Sequence, residues 1–370
     1  MRILVKGFLV LALLGLMFAA GGSAKAGPLV EKNVVVYYEP GRYVQGVANR
    51  GIWSWGNEIM VGASGGYFQY KYLMAAAVDR SKPRRELLCR SLDGGETWSV
   101  EAPVENGSLD FSSEAADCPG GIDFTDPDFA LNLLLDEAGR GAPRFYYSYD
   151  RGRTWKGPFK LPDFGTGGIV GARTSYLVNG KDDCMLFLTA DKANGREGRS
   201  FCARTVDGGK TWAFVSWIGP EPTGFAIMPV AVRLSETEII AAVRRNEGRK
   251  HWISLYDSKD NGQSWEYMND PVGDLGEGNP PALIRLSDGR LCLTYGVRAR
   301  PYRICAKLSG DGGQTWGEEI VLRQDADNWE LGYVRSAARP DGKVVTVYYH
   351  NDTKTGPETY IGATIWDPGQ

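Results

Sequence analysis

One eight-residue pattern occurs five times in this chain and constrains its fold more than any other feature. Each copy reads Ser/Thr-x-Asp-x-Gly-x-Thr/Ser-Trp, and the Asp residues of successive copies lie 57, 57, 53 and 51 positions apart. Repeats at such a period indicate an array of similar structural units. The five copies occupy residues 91–98, 148–155, 205–212, 258–265 and 309–316.

The residue types in each copy are those of a tight turn between two strands. The Asp carboxylate and the Ser or Thr hydroxyl can accept backbone N–H hydrogen bonds within such a turn. The Gly suits a positive φ, and we expect the Trp to pack as a wedge on the neighbouring sheet. One acidic residue per copy supplies too few oxygen ligands for calcium. We therefore interpret the repeat as structural.

The segments between the repeats are typical of short strands in an all-β fold. Residues 290–295 and 343–349 are rich in β-branched and aromatic side chains. A unit of about 50 residues with four short strands has the size of a propeller blade. The sequence therefore predicts a six-bladed β-propeller of four-stranded antiparallel blades. We expect the strand at residues 34–38 to pair with the C-terminal blade, so that both chain ends close it.

The charge balance and the histidine count exclude two classes of function. Lys and Arg total 42 against 45 Asp and Glu, which gives a formal net charge of −3. A nucleic-acid binder would have a basic excess, so we expect no nucleic-acid partner. The only histidines are His251 and His350, too few for a multi-histidine metal centre. We expect neither a metal nor another cofactor.

Residues 1–26 have the pattern of a cleavable export signal. Basic residues precede an almost wholly apolar run at residues 8–20, and residues 24–26 read Ala-Lys-Ala. An uncleaved membrane anchor is the alternative, but the apolar run is short for a span of about 20 residues. We expect cleavage before Gly27, no stable membrane insertion afterwards, and a secreted or periplasmic protein. Residues 27–370 are then predicted to form a single propeller domain.

The six cysteines would enter a compartment that permits disulfides if the chain is exported. Cys184 and Cys292 lie in similar strand contexts, and Cys202 and Cys305 each lie a few residues before a repeat. If each pair flanks a hairpin, bridges from Cys184 to Cys202 and from Cys292 to Cys305 are geometrically possible. Buried free thiols are the alternative.

The repeat resembles the Asp box, or BNR repeat, of the sialidase (neuraminidase) superfamily of six-bladed propellers. The resemblance spans essentially the whole of residues 27–370. Asp boxes also occur in propellers with other functions, so the repeat is specific for the fold and not for the activity. In sialidases three arginines hold the substrate carboxylate, because guanidinium groups are rigid forks of charged donors. The family's nucleophile is a tyrosine, usually activated by a glutamate, and an aspartate serves as acid and base.

Tyr333 matches the tyrosine of that family. It precedes Gly342 of an Asp-Gly turn by nine residues, as in the family pattern, and an apolar strand follows the turn. The resemblance therefore implies that Tyr333 is the nucleophile. Tyr349 stands where the family usually has a glutamate.

Three arginines correspond in position to the family's carboxylate-binding triad. Arg244 and Arg298 each end an apolar strand that follows a turn, like the second and third members. Arg50, within Asn-Arg-Gly-Ile, corresponds to the first, although the Pro of the family's Arg-Ile-Pro is absent. Arg245 and Arg300 lie one and two residues further along the chain than Arg244 and Arg298, and are the alternative members of the triad. We expect the triad and the tyrosine to converge at one mouth of the central channel, with the Asp boxes on the opposite side.

The acid and base of the family have weaker counterparts. Asp79, on the long insertion of blade one, lies where the family places its acid. In blade four, Thr237 occupies the turn position that Gly342 occupies in blade six, and Met228 precedes it by nine residues. The family has its tyrosine-activating glutamate at the position of Met228. A methionine cannot accept a proton. Glu277, or alternatively Glu330, is the candidate base from another blade.

Two functions fit these residues. The first is an exported, sialidase-like exo-glycoside hydrolase that removes a terminal sugar carrying a carboxylate, sialic acid or a related acidic sugar, from a glycan or glycoconjugate. The second is a non-catalytic propeller that binds an acidic glycan through the same arginines. Tyr333 with Arg244 and Arg298 favours the hydrolase, and Met228 favours the binding protein. We take the hydrolase as the leading hypothesis.

Overall fold

The computed structural model describes residues 27–70, 77–101, 114–134, 143–168 and 170–369. These residues form six antiparallel sheets, and the fold is a six-bladed β-propeller, as predicted. The predicted export signal at residues 1–26 lies outside the described residues. Within the described part of the chain, no helix is long and apolar enough to cross a lipid bilayer.

The first three blades follow one another in chain order after the N-terminal strand β1 (Leu29–Tyr37). Blade one comprises β2 (Arg42–Gln45), the helix α1 (Val47–Arg50), β3 (Ile52–Trp55), β4 (Glu58–Tyr67), β5 (Arg85–Ser91) and β6 (Ser99–Glu101). The described strands of blade two are β7 (Ala130–Leu134), β8 (Arg144–Ser148) and β9 (Lys156–Lys160). Blade three comprises β10 (Val170–Gly171), β11 (Tyr176–Gly180), β12 (Asp183–Asp191), β13 (Glu197–Thr205) and β14 (Ala213–Trp217).

The last three blades are more regular. Blade four comprises β15 (Phe225–Arg233), β16 (Ile239–Glu247), β17 (Lys250–Ser258) and β18 (Glu266–Val272). Blade five comprises β19 (Ala282–Arg285), β20 (Leu291–Val297), β21 (Arg303–Ser309) and β22 (Ile320–Arg323). Blade six comprises β23 (Gly332–Ala338), β24 (Val344–His350) and β25 (Tyr360–Asp367) together with β1.

Both chain ends close the sixth blade. Its strand order is β1-β25-β24-β23, and β1 pairs antiparallel with β25. In this register Val34 lies opposite Ala363 and Val35 opposite Gly362. The pairing gives the outer edge of β25 a partner, so the prediction of closure by both ends is confirmed.

The second strand of a blade is buried on both faces, because sheets pack against it from either side. All seven residues of β20 and of β24 are buried, which explains their continuous apolar and aromatic sequences. Between blades six and one, Val345 and Val347 pack with Ile59 and Val61 in one cluster. The core therefore lies between neighbouring blades, and the channel along the axis is lined by the innermost strands.

The five Asp-box turns share one hydrogen-bond pattern. In each turn the first Ser or Thr hydroxyl donates to the Asp carboxylate at 2.7–2.9 Å. The backbone N–H of the later Thr or Ser donates to the same carboxylate at 2.8–2.9 Å. The Gly has a φ between 76° and 92°, which favours glycine. The structural interpretation of the repeat is thus supported bond by bond.

The Trp of the repeat joins the turn to the sheets. The indole N–H of Trp98 donates to the Gly95 carbonyl at 2.9 Å. Trp265 instead donates to the Ser216 hydroxyl of blade three at 3.0 Å, so this Trp ties two blades together. The hydrogen bond of Trp265 therefore anchors its turn to the neighbouring blade.

Replacing Asp207 with Ala is expected to destabilise the fold by about 1–2 kcal/mol, because the turn loses several hydrogen bonds. The Asp207 carboxylate accepts bonds from Thr205 and from both the backbone and the hydroxyl of Thr211. Urea unfolding measures the change. The matched control is Asp182→Ala, an exposed Asp one strand away, for which we expect no more than about 0.5 kcal/mol. Equal destabilisation by both variants would contradict the structural role that we assign to the repeat.

All six cysteines are buried free thiols. The hairpin register explains why the first candidate pair is unbridged, because Cys184 lies opposite Thr205 whereas Cys202 lies opposite Phe187. The second candidate pair is offset in the same way across its own hairpin. Burial raises the pKa of the Cys184 thiol well above its usual value, so the thiol stays protonated.

Candidate active site

Tyr333, Arg244 and Arg298 meet at the end of the channel opposite the Asp-box turns, which we call the mouth. Each Asp box follows the third strand of its blade, so the third strand runs away from the mouth. The second strand is antiparallel to the third and therefore ends at the mouth. Arg244 lies near the mouth end of the second strand β16, and Arg298 directly follows the second strand β20. Tyr333 lies at the start of the innermost strand β23, opposite the end of β24.

The backbone at Tyr333 has an unusual conformation that its neighbours hold in place. Its φ is 50°, and the pairing of β23 with β24 shifts register at this point. The Tyr333 N–H donates to the Asn279 side-chain oxygen at 3.0 Å, and Asn279 is fully buried. A side chain at Gly332 would clash with the same amide, since its Cβ would lie 2.3 Å from the Asn279 oxygen. Such strain persists where the surroundings impose it, often at functional sites.

Three guanidinium groups surround the Tyr333 side chain. The Arg244 Nη1 lies 3.4 Å from the Tyr333 hydroxyl and donates to it. The guanidinium of Arg298 lies 5.5 Å from the Tyr333 ring centre and donates to the hydroxyl of Tyr349. Arg173, from blade three, is close enough to act on the Tyr333 hydroxyl electrostatically, and its Nε donates to the Asn49 side chain at 3.1 Å.

These positive charges change the acidity of Tyr333. Burial alone would raise the pKa of its phenol, but the charges of Arg244, Arg298 and Arg173 outweigh burial and lower the pKa below the usual value. The adjacent Tyr349, whose ring centre lies 5.8 Å away, has a raised pKa because burial dominates there. Of the two neighbouring tyrosines, Tyr333 is therefore the one poised to ionise.

We expect a tyrosinate to form in the folded protein below pH 10, the usual pKa of tyrosine. Ultraviolet difference absorbance against Tyr333→Phe isolates this titration. Replacing Arg244 with Gln removes a positive charge that favours the phenolate, so the midpoint should move to higher pH. A Tyr333-dependent titration at or above pH 10 in the parent, or no upward movement on Arg244→Gln, would contradict the electrostatic argument.

Arg244 and Arg298 are cations that form no salt bridge within the described part of the chain. The Nε of Arg244 is also buried without a hydrogen-bond partner there. By contrast, Arg90 is paired with Glu58 and Glu101. A partly buried cation without a counter-ion is costly, so the mouth favours an anionic ligand.

The cations that act most on Tyr333 are Arg244, Arg298 and Arg173, and Arg50, the expected first member of the triad, is not one of them. It is the last residue of α1, and its guanidinium pairs with the Glu86 carboxylate of β5. Arg173 is the third cation at the mouth instead.

The carboxylates predicted from the resemblance occupy different surroundings. Asp79 accepts hydrogen bonds from the backbone and hydroxyl of Ser81 and lies 3.8 Å from the Lys82 ammonium, on the loop that follows β4 at the mouth end. Glu277 is exposed, and its charge acts on His251, a neighbour of Arg244. No direct contact of either carboxylate with Tyr333 is present among the described residues.

Glu330 is the carboxyl group within the cluster itself. It is only 6% exposed and accepts a hydrogen bond from the buried Tyr43 hydroxyl. Burial raises its pKa, while the Tyr43 hydrogen bond and the charge of Arg298 partly oppose that effect. The Glu330 carboxyl therefore keeps a proton to higher pH than an ordinary glutamate.

Met228 lies beside the cations, where the resemblance places a glutamate. Its sulfur is 4.0 Å from the Arg244 Nη1. Like Tyr333 it has a positive φ, 55°, and its N–H donates to the hydroxyl of Thr189 in the preceding blade at 3.1 Å. The two residues thus occupy equivalent positions on the innermost strands of blades four and six.

Sequence reasoning missed Arg173 and Asn279. The count that leads from Gly342 to Tyr333 also leads, nine residues back from Asp182, to Arg173. Applying the count to blade three would therefore have found this arginine. Asn279 carries no comparable sequence signal, because its role depends on contact with the next blade.

The sequence matches the BNR repeat-like domain family over residues 131–346, more than half of the chain. No curated protein matches it. The fold is similar to that of a Dyadobacter fermentans protein of unknown function, with a TM-score of 0.70 at 20% identity over 92% of this chain and 99% of that one.

Glycoside hydrolases share the fold at lower similarity. The alpha-L-arabinofuranosidase Arb93a from Fusarium graminearum has a TM-score of 0.61 at 12% identity, covering 91% of this chain and 97% of that one. The Hadza microbial sialidase Hz136 has a TM-score of 0.56 at 14% identity, covering 87% of this chain and 65% of that one. At these identities the similarity concerns the fold alone.

Proposed function

Because this chain belongs to the BNR repeat-like domain family, and has a sialidase-like propeller fold shared with glycoside hydrolases, we propose that it hydrolyses glycosides of a carboxylate-bearing sugar. The observation that carries this proposal is the arrangement at the mouth. Tyr333, whose pKa is lowered, lies between Arg244 and Arg298, and neither arginine forms a salt bridge among the described residues.

The unpaired arginines supply the preference for an acidic sugar. A substrate carboxylate placed between Arg244 and Arg298 would receive charge-assisted hydrogen bonds and neutralise both cations. A neutral sugar would leave these cations without a counter-ion. The export proposed from residues 1–26 would bring the enzyme to glycans outside the cytoplasm.

The proposed reaction proceeds by two displacements at the anomeric carbon. The Tyr333 oxygen attacks this carbon, and the bond from the carbon to the leaving-group oxygen breaks. The leaving oxygen keeps the electron pair and takes a proton from a carboxylic acid. Water then attacks the same carbon, loses a proton to that carboxylate and releases Tyr333. Two displacements retain the configuration of the sugar.

Two features of the mouth support the proton transfers. Arg173, Arg244 and Arg298 favour the phenolate of Tyr333, a task that the glutamate at the Met228 position performs in the resembling family. Glu330, whose pKa is raised by burial, is the proton donor that we propose for the leaving group. Asp79 remains the alternative acid, and the pH dependence of turnover in Glu330→Gln and Asp79→Asn separates the two.

The binding-only function has one observation in its favour. Met228 provides no carboxylate next to Tyr333, and its sulfur contacts Arg244. A protein that only binds would still use the arginines for an acidic glycan, and it would leave every glycoside intact.

A panel of fluorogenic glycosides tests the proposal. It contains sialic acid and uronic acid glycosides as the acidic members and an arabinofuranoside as the neutral member. We expect release of the fluorophore from at least one acidic member, and at least about 100-fold slower release from the arabinofuranoside, because a lost charge pair costs about 3 kcal/mol. Preference for the neutral member, or binding of acidic members without release, would contradict it.

A further inference from the structure

A second concave space lies on the propeller axis, on the Asp-box side of the mouth. It is a cavity of about 300 Å³, at the lower end of the range of small-molecule sites. Trp53, Trp55, Phe129 and Tyr176 contribute aromatic surface to its lining, and Ser54, which is exposed, marks the end that is open to solvent. Arg335 also lines the cavity.

Arg335 carries a positive charge that no described carboxylate compensates. Its side chain is 7% exposed. Nη2 donates to the Ala48 carbonyl at 2.6 Å and to the Thr174 carbonyl at 3.1 Å. Nη1 is buried and has no hydrogen-bond partner among the described residues. Burial, with the nearby charge of Arg173, lowers the pKa of Arg335 to about 10, so the group is still charged at neutral pH.

The hydrogen bonds of Nη2 connect different blades, whereas Nη1 forms none among the described residues. They join β23 to α1 of blade one and to the segment between β10 and β11 of blade three, so one guanidinium links three blades. That link leaves both N–H groups of Nη1 unused. An unpaired buried cation is costly, and an anion beside the guanidinium would offset the cost.

We propose that the axial cavity binds a small organic carboxylate, with its carboxylate next to the Arg335 guanidinium and its body against the aromatic lining. A guanidinium group without an acidic partner suits a carboxylate. Aromatic walls suit a planar or sugar-sized body, and the volume limits the ligand to about that size. This site is separate from the mouth and does not depend on the proposed glycosidase activity.

Benzoate is the probe, and benzamide is the matched neutral probe of the same shape. Trp53 and Trp55 line the cavity, so quenching of tryptophan fluorescence reports occupancy. We expect saturable binding of benzoate and at least 10-fold weaker binding of benzamide. Arg335→Met should weaken benzoate about 10- to 100-fold, the range for loss of charge-assisted hydrogen bonds.

Arg298→Ala distinguishes this cavity from the mouth, and it should change benzoate affinity less than twofold. Binding that survives Arg335→Met, or is lost in Arg298→Ala, would overturn the proposal. Because Arg335 also links blades, its variant could fail to fold, and crystals of the parent protein soaked in 4-bromobenzoate provide a second test. A bromine anomalous peak in the cavity, with the carboxylate facing the Arg335 guanidinium, is expected. A cavity without that peak would refute it.

Discussion

Replacing Tyr333 with Phe is expected to abolish hydrolysis of acidic glycosides while leaving their binding within about threefold of the parent. The phenol oxygen is the proposed nucleophile, so its removal should lower kcat by about three orders of magnitude or more. The ring would still pack against Tyr349 and Met228, because neither contact involves the hydroxyl. Steady-state kinetics and calorimetric binding measure the two effects separately.

Tyr349→Phe is the matched control for this variant. It removes a hydroxyl from the adjacent ring, whose oxygen accepts a hydrogen bond from Arg298. We expect a loss of kcat of no more than about tenfold, since only the orientation of Arg298 is affected. If Tyr333→Phe hydrolyses the substrate as fast as the parent, or if Tyr349→Phe is the more damaged variant, the nucleophile assignment is wrong.

Replacing Arg298 with Ala is expected to weaken binding of the acidic sugar by about 2–5 kcal/mol, or about 30-fold to several thousand-fold in Kd. The substrate carboxylate would lose a charge-assisted pair in a partly buried site. Measurement in a Tyr333→Phe background prevents turnover from distorting the affinity. The effect on binding should exceed any effect on the melting temperature, because Arg298 has no acidic partner among the described residues.

Two other arginines serve as controls. Arg300 is exposed two residues further along the chain, and Arg300→Ala should leave affinity within about threefold of the parent. Arg50→Ala should act on stability and not on affinity, because Arg50 pairs with Glu86. Equal losses of affinity in Arg50→Ala and Arg298→Ala would show that Arg50 binds the substrate as the sequence predicts, and would contradict a purely structural role for its pairing with Glu86.

The propeller could be predicted from sequence because its strongest signal is local. The bonds of an Asp box join residues no more than four positions apart, so the motif predicts its own turn wherever it occurs. Even the closure of blade six followed from an unpaired strand around Val34 and the need to cover an edge.

The site was only partly predictable because some of its geometry depends on contacts between blades. The spacing from the Asp-Gly turn places Tyr333 correctly at the mouth, since that spacing is a property of one hairpin. Arg50 pairs with Glu86 of β5, a residue 36 positions away, and nothing in the local sequence indicates that pairing. The orientation of Tyr333 likewise depends on Asn279 of the preceding blade.

The most direct test of the central claim is covalent trapping at Tyr333. A fluorinated acidic glycosyl fluoride combines a good leaving group with an electron-poor ring, so the second displacement becomes slower than the first and the glycosyl-enzyme accumulates. Peptide mass spectrometry then locates the adduct. We predict an adduct on the peptide that contains Tyr333, and none in Tyr333→Phe. An adduct on Glu277 or Glu330, or hydrolysis of acidic glycosides without any adduct at Tyr333, would contradict the account.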